Sequence, residues 1–202
     1  MGARVLGVAL GLLGPGAVRN AAAEMLQRVQ AARPEARLEG FSIEPMVHRP
    51  GSYELILGVL ADEQFGPVIL CGHGGMAVEV IDDKALGLPP LNMHLAHEIL
   101  SRTRIYRQLL GFRGQPGANI EAIALTLIKL AQMVIDIPKI GELDINPMLV
   151  DAYGVVALDA RIKVAKTAKA AAERLAIRPY PKELEEEIVS NDGRRLVLET
   201  IR

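Results

Sequence analysis

The stretch Glu142-Leu143-Asp144-Ile145-Asn146-Pro147 carries an oxygen-bearing side chain at every second position of a predicted strand. Successive side chains of an extended strand point to opposite faces, so those of Glu142, Asp144 and Asn146 share one face. A turn at 151–154 brings Asp159 alongside in the second strand of a hairpin. Carboxylate and amide oxygens suit Mg²⁺. The hairpin is therefore either a magnesium site or simply the polar, solvent-exposed face of an edge hairpin.

The residues around this hairpin predict a mixture of helices and short strands. Apolar spacing and capping residues predict helices at 17–33, from a cap at Asn92 through 102–110, at 120–136 behind a cap at Asn119, and at 162–175. Strands are predicted at 4–12, 38–47, 53–60, 67–71, 77–81, 142–150, 155–159 and 196–201. Short strands joined by tight turns usually pair antiparallel. We therefore expect an α+β fold with a mostly antiparallel sheet flanked by helices.

The amino-acid composition argues against some classes of binding partner. Of the 202 residues only 3% are aromatic, and the formal net charge is −1. Side chains for stacking on bases are scarce, and no overall field attracts polyanions. The longest apolar stretch, 120–137, is interrupted by Glu121, Lys129, Gln132 and Asp136, and Arg19 lies where a signal-peptide cleavage region is uncharged. With Cys71 as the single cysteine, we expect a cytoplasmic protein with no nucleic acid or membrane partner.

A glycine-rich loop, Gly72-His73-Gly74-Gly75, follows the predicted strand at 67–71. Such a loop lets backbone N–H groups approach an anion closely. Neither a dinucleotide-binding pattern nor a Walker phosphate-binding pattern surrounds it. His73 has two interpretations: it is a phosphoryl acceptor or general base, or it is an incidental loop histidine without a carboxylate partner.

Three separated motifs, in their order along the chain, resemble one family. They are residues 43–47 (IEPMV) with 54–58 (ELILG), residues 65–80 around the glycine-rich loop, and residues 142–147 (ELDINP) with 158–161 (LDAR). Together they resemble the ATP-grasp region of NDP-forming acyl-CoA synthetases, and succinyl-CoA synthetase β subunits share the more general skeleton. The resemblance implies that residues 1–175 form the C-terminal lobe of an ATP-grasp domain.

The resemblance also implies a nucleotide site. Glu44, Pro45, Met46 and Val47 match the hinge between the lobes, whose backbone groups hold adenine. Glu54 matches an acid that contacts the nucleotide. These residues are expected to bind ATP or ADP.

The remaining motifs match the metal site and a docking turn. Asn146 and Asp159 match the two Mg²⁺ ligands of the family, with Asp144 or Glu142 as a supporting acid. Gly72, His73, Gly74 and Gly75 match a turn close to which the phosphohistidine segment docks. His73 departs from the Gln, Leu or Met that is usual there, and the phosphohistidine of the family belongs to a different domain.

The implied function is phosphoryl transfer between ATP and an active-site histidine, followed by acyl phosphate and acyl-CoA formation. That histidine and the CoA-binding and ligase domains lie outside these 202 residues. No catalytic residue is therefore expected in this chain, and alone it is expected to be inactive. The alternative is a non-catalytic, ligand-sensing regulatory module of a protein lysine acetyltransferase.

The last residues carry a second resemblance. Residues 176–202 look like the linker and first strand that join this region to a GNAT-type acetyltransferase domain in fused proteins. The predicted strand at 196–201 has no later partner, which indicates a chain cut from a longer protein. The expected partners are thus the nucleotide and the CoA-binding, ligase and GNAT-like domains of the same polypeptide.

Overall fold

The computed structural model describes residues 7–75, 82–111, 114–164, 166, 174–177, 186–190 and 194–198. The chain divides into two units, Met1–His48 and Arg49–Arg202. The predicted strand at 77–81 lies outside the described residues.

The first unit contains one long helix, α1 (Gly14–Ala32), with a proline in its first turn. Proline is tolerated there because the first N–H groups of a helix lack intrahelical partners, so α1 begins three residues before the helix predicted at 17–33. No residue of α1 is buried. The predictions of strands at 4–12 and 38–47 are wrong for the described residues, which form no strand at 7–13 or 38–47. Alternating apolar residues make a strand only where a second strand pairs with them.

The second unit is built on an antiparallel sheet. Its strands are β1 (Tyr53–Asp62), β2 (Gly66–His73), β3 (Lys84–Gly87), β4 (Ile140–Asp151), β5 (Gly154–Ala157) and β6 (Ala160–Val164). Their order is β3-β2-β1-β4-β5, and β6 also pairs with β4. The 12-residue β4 pairs with β5 through its last residues and with β6 through its first. The predicted, mostly antiparallel sheet is confirmed.

The helices with described bounds in this unit are α2 (Met93–Ser101), α3 (Tyr106–Leu109) and α4 (Ile120–Asp136). The predicted caps form, because the Asn92 side chain accepts a hydrogen bond from the Leu95 N–H and that of Asn119 accepts one from Ala122. The helix expected to run through 110 is broken between α2 and α3. There the carboxylate of Asp83, only 7% exposed, accepts the N–H groups of Arg104 and Ile105.

The core lies on the face of the sheet that packs against α2 and α4. Leu55, Leu57 and Val59 point to it from alternate positions of β1 and are fully buried. The apolar stripe of α4 that the sequence predicts, including Ile123, Leu127 and Val134, is buried against them. The sheet is therefore flanked by helices as predicted. Its opposite face, which α2 and α4 do not cover, can carry polar groups.

The C-terminal part departs from expectation twice. Residues 162–164, predicted as the start of a helix, belong to β6. Glu186–Val189 forms β7, which pairs antiparallel with β8 (Arg195–Leu198). The strand predicted to be unpaired therefore has an earlier partner. The assignment of 176–202 to a GNAT-like domain stays a prediction.

Candidate functional site

The open face of the sheet carries a charged cleft of about 340 Å³. Gly58 of β1 lies opposite Asp144 of β4, and Asp144 lies opposite Arg161 of β6. Two positions further along, Glu142 faces Lys163. Apolar residues of all four strands also line the cleft, among them Ile56, Leu60, Leu70 and Ile162. The cleft therefore combines apolar side chains with charges of both signs.

Two of the predicted acids form ion pairs with basic side chains of β6. The Lys163 ammonium lies 2.7 Å from a carboxylate oxygen of Glu142, and the Arg161 guanidinium lies 2.9 Å from one of Asp159. Within the described ranges no group of three or more His, Cys, Asp or Glu side chains could hold a metal. The assignment of Glu142 and Asp144 as supporting acids of a metal site stays a prediction.

Asn146 and Asp159 do lie next to each other. The Asn146 N–H donates to the Asp159 carbonyl at 3.2 Å, and the Leu158 N–H donates to that of Pro147 at 3.0 Å. Asn146 precedes a cis proline at the irregularity where the register of β1 and β4 shifts. The hairpin thus places one amide and one carboxylate side chain on adjacent backbone segments, as the sequence predicts.

The glycine-rich loop reaches the same place from β2. The N–H of Gly75 donates to Oδ1 of Asn146 at 2.9 Å, and that of Gly74 donates to the Glu54 carbonyl at 2.8 Å. Gly75 has φ +75°, and a Cβ there would lie 1.8 Å from Oε2 of Glu54. The fold therefore brings together Glu54, the glycine-rich loop and Asn146, to which the sequence assigns three different roles.

His73 lies on the helix-covered side of the sheet, the side of its strand neighbour Cys71. It pairs with Leu55 in the ladder, and its N–H donates to the Asp83 carbonyl at 3.0 Å. Its half-buried side chain lines a second cleft of about 400 Å³, next to Ser52 and Gln108. Glu54 and Gly74 line this second cleft as well.

Three residues of this region were missed by the sequence analysis. Lys163 lies within the helix predicted at 162–175 and Arg161 lies directly before it, although their spacing of two is the strand period that places both on one face. Asp83 anchors the glycine-rich loop to α3 and also acts on Cys71. Burial, with a smaller contribution from the Asp83 charge, raises the pKa of the Cys71 thiol to about 12. That thiol is a core group and not a nucleophile.

The predicted hinge residues Glu44, Pro45, Met46 and Val47 belong to the first unit. Their side chains are exposed there, and the Ser42 hydroxyl donates to a carboxylate oxygen of Glu44 at 3.0 Å. Their adenine-binding role stays a prediction.

Comparison with known proteins identifies the family. Residues 3–164 match the ATP-grasp domain family. The chain belongs to that family. It is 39% identical over 139 residues to acetate–CoA ligase [ADP-forming] I of Archaeoglobus fulgidus, covering 69% of this chain and 20% of the relative. It is 33% identical to the β subunit of acetate–CoA ligase [ADP-forming] I of Pyrococcus furiosus, covering 77% of this chain. The chain spans about a fifth of the first relative and 66% of the second.

Solved structures agree with this assignment. One is a dinucleotide-forming acetyl-coenzyme A synthetase 1 of Ca. Korarchaeum cryptofilum in complex with coenzyme A, Ca-AMPCP and HgCl⁺, with a TM-score of 0.71 and 34% identity, covering 80% of this chain and 70% of that one. A second structure of that enzyme holds coenzyme A and Mg-AMPPCP, with its phosphohistidine segment pointing towards the nucleotide binding site. Its TM-score is 0.64 at 29% identity, covering 78% and 67%. Among the described residues of this chain, no helix has the length and apolar character needed to span a membrane.

Proposed function

We propose that this ATP-grasp domain binds ATP or ADP with Mg²⁺ on the open face of its sheet. The observation that carries the proposal is the meeting of Asn146 with Asp159, Glu54 and the glycine-rich loop beside the charged cleft. The cleft offers apolar surface for a nucleotide ring, and Arg161 and Lys163 offer positive charge for phosphates. Family membership and nucleotide-bound relatives support the same assignment.

The residues present fit a magnesium ion. Mg²⁺ in phosphate-binding sites takes one or two protein oxygens and shares the rest of its shell with water and phosphate. Asn146 and Asp159 supply one amide and one carboxylate oxygen of this kind, and a third acid is not needed. When bound, the ion would neutralise charge on the phosphoryl group being transferred. The side chain of Asp159 would then contact the ion in place of Arg161. The Arg161 guanidinium would become available to a phosphate oxygen.

In the intact protein we propose that this site serves an ADP-forming acyl-CoA ligase. The reaction would transfer a phosphoryl group between the nucleotide and a histidine on a separate domain, with CoA bound elsewhere. The turn at 72–75 is the proposed docking place for the histidine-bearing segment, which is supported by its contact with Asn146. The nucleotide site would be a functional part of that enzyme, and this chain alone would turn over no acyl-CoA.

Isothermal titration of the purified chain with ADP in the presence of Mg²⁺ tests the proposed site. Asp159→Ala is expected to weaken binding by about tenfold or more, because it removes a metal ligand. The matched control is Asp136→Ala, which removes an exposed carboxylate at the end of α4 that contacts Gln132. Equal heats for the wild type and Asp159→Ala would remove the metal site from the proposal.

A further inference from the structure

The side-chain amide of Asn146 has two unlike ends, and one backbone group decides which way it faces. Its Oδ1 atom is an acceptor with two lone pairs, whereas Nδ2 carries only donors. Since the N–H of Gly75 is a donor, it bonds Oδ1 at 2.9 Å, and a flipped amide would set donor against donor. This bond uses one lone pair of Oδ1 and leaves the other for a cation.

The Gly75 N–H is itself held in place by β1. The N–H of Gly74 donates to the Glu54 carbonyl at 2.8 Å, and a Cβ on Gly74 would come within 2.4 Å of the Leu55 carbonyl carbon. At Gly75 the positive φ and the neighbouring Glu54 carboxylate both disfavour a side chain. Two consecutive glycines therefore let the turn lie directly on β1, which is paired with the strand that carries Asn146.

We propose that Gly75 is a positioning residue for the metal: its backbone N–H holds the Asn146 amide with Oδ1 ready to bind Mg²⁺. This inference rests on the proposed function, in which Asn146 is a metal ligand. Partners that orient a metal ligand commonly change the metal affinity by about 10–100-fold when they are lost. Gly75 would contribute through another residue and would not touch the ion.

Amide hydrogen exchange measured by NMR on the ¹⁵N-labelled chain tests the bond without any ligand. Asn146→Ala is expected to speed exchange of the Gly75 amide by about tenfold or more, while the Gly74 amide, bonded to Glu54, keeps its wild-type rate. Asn146→Asp retains an acceptor oxygen and is expected to restore slow exchange at Gly75. A Gly75 amide that exchanges equally fast in the wild type and Asn146→Ala would overturn the inference.

Magnesium titration at a fixed ADP concentration tests the consequence. Gly75→Ala is expected to raise the Mg²⁺ concentration for half-saturation by about tenfold. The control is Gly51→Ala, because Gly51 has φ +78° with open space around it and carries the same backbone strain without the contacts. We expect this control to bind Mg²⁺ like the wild type.

The outcomes separate the inference from the proposed function. If Asn146→Ala lowers the Mg²⁺ affinity but Gly75→Ala does not, the positioning role is wrong and the proposed metal site stands. If Asn146→Ala binds Mg²⁺ like the wild type, the proposed ligand is wrong and the inference falls with it. Should Gly75→Ala lose its fold, the exchange rates of the wild type and the Asn146 variants decide the question.

Discussion

The two faces of the sheet in the second unit differ in burial and in the kind of side chain they carry. On the helix-covered face, Leu55, Leu57 and Val59 are fully buried and aliphatic contacts fill the space. On the open face, the same strand presents Gly58 and Leu60 beside the charged residues of β4 and β6. Alternate residues of β1 thus contribute to the core on one face and to the cleft on the other. Substitutions on the covered face should change the free energy of unfolding, and those on the open face should change ligand affinity.

The largest expected effect is on the covered face. Leu57→Ala removes a fully buried side chain and leaves a cavity among tightly packed neighbours, so it should lower the free energy of unfolding by about 2–5 kcal/mol. Leu60→Ala on the same strand truncates a side chain that is 46% exposed, and should cost less than about 1 kcal/mol. Urea denaturation of both variants measures the difference. Equal losses of unfolding free energy in the two variants would contradict the assignment of stability to the covered face.

The sequence predicts the elements whose signal is local. The 3.6-residue periodicity of 120–136, with Asn119 as its cap, gives α4 at the right bounds. The alternating residues of 53–60 give most of β1. The oxygen-bearing positions at 142, 144 and 146 correctly indicate a polar strand. These features need no knowledge of distant residues, because the hydrogen bonds and the buried side are set within a few positions.

The features that the sequence missed depend on distant partners. β3 has only four residues and exists because it pairs with β2, while residues 38–47 have the alternation of a strand but no strand structure. The last three residues of β6 were expected to be helical, and the ladder of this strand with β4 decides otherwise. The contact between Gly75 and Asn146 joins residues 71 apart in the chain, so no local pattern could reveal it. Tertiary pairing overrides local preference in each case.

A second test of the covered face uses pH. The Cys71 thiol has a folded-state pKa of about 12, raised by burial from the ordinary value of 9.0. The unfolded chain therefore loses this proton at a lower pH than the folded protein, and stability falls as the pH rises from about 9 towards 12. The loss approaches about 1.4 kcal/mol for each pH unit well above the lower pKa.

Cys71→Ala isolates this contribution. Lysines and tyrosines also ionise in this range, so the informative quantity is the difference between the two proteins. Urea denaturation at pH 8 and pH 10 should show a fall in stability that is about 1 kcal/mol larger for the wild type than for Cys71→Ala. An identical fall would mean that the folded protein exposes the thiol, which conflicts with its full burial.

The smallest expected effect on stability lies on the open face, where Lys163 pairs with Glu142 at 2.7 Å. Both side chains are at least half exposed, so Lys163→Ala should change the free energy of unfolding by no more than about 0.5 kcal/mol. It should nevertheless weaken ADP binding about threefold at low salt, because it removes a positive charge from the cleft. Lys84→Ala is the matched control, since Lys84 forms a pair of the same length with Asp82 and does not line the cleft. If both variants lowered the affinity for ADP equally, overall charge rather than the open face would attract the nucleotide.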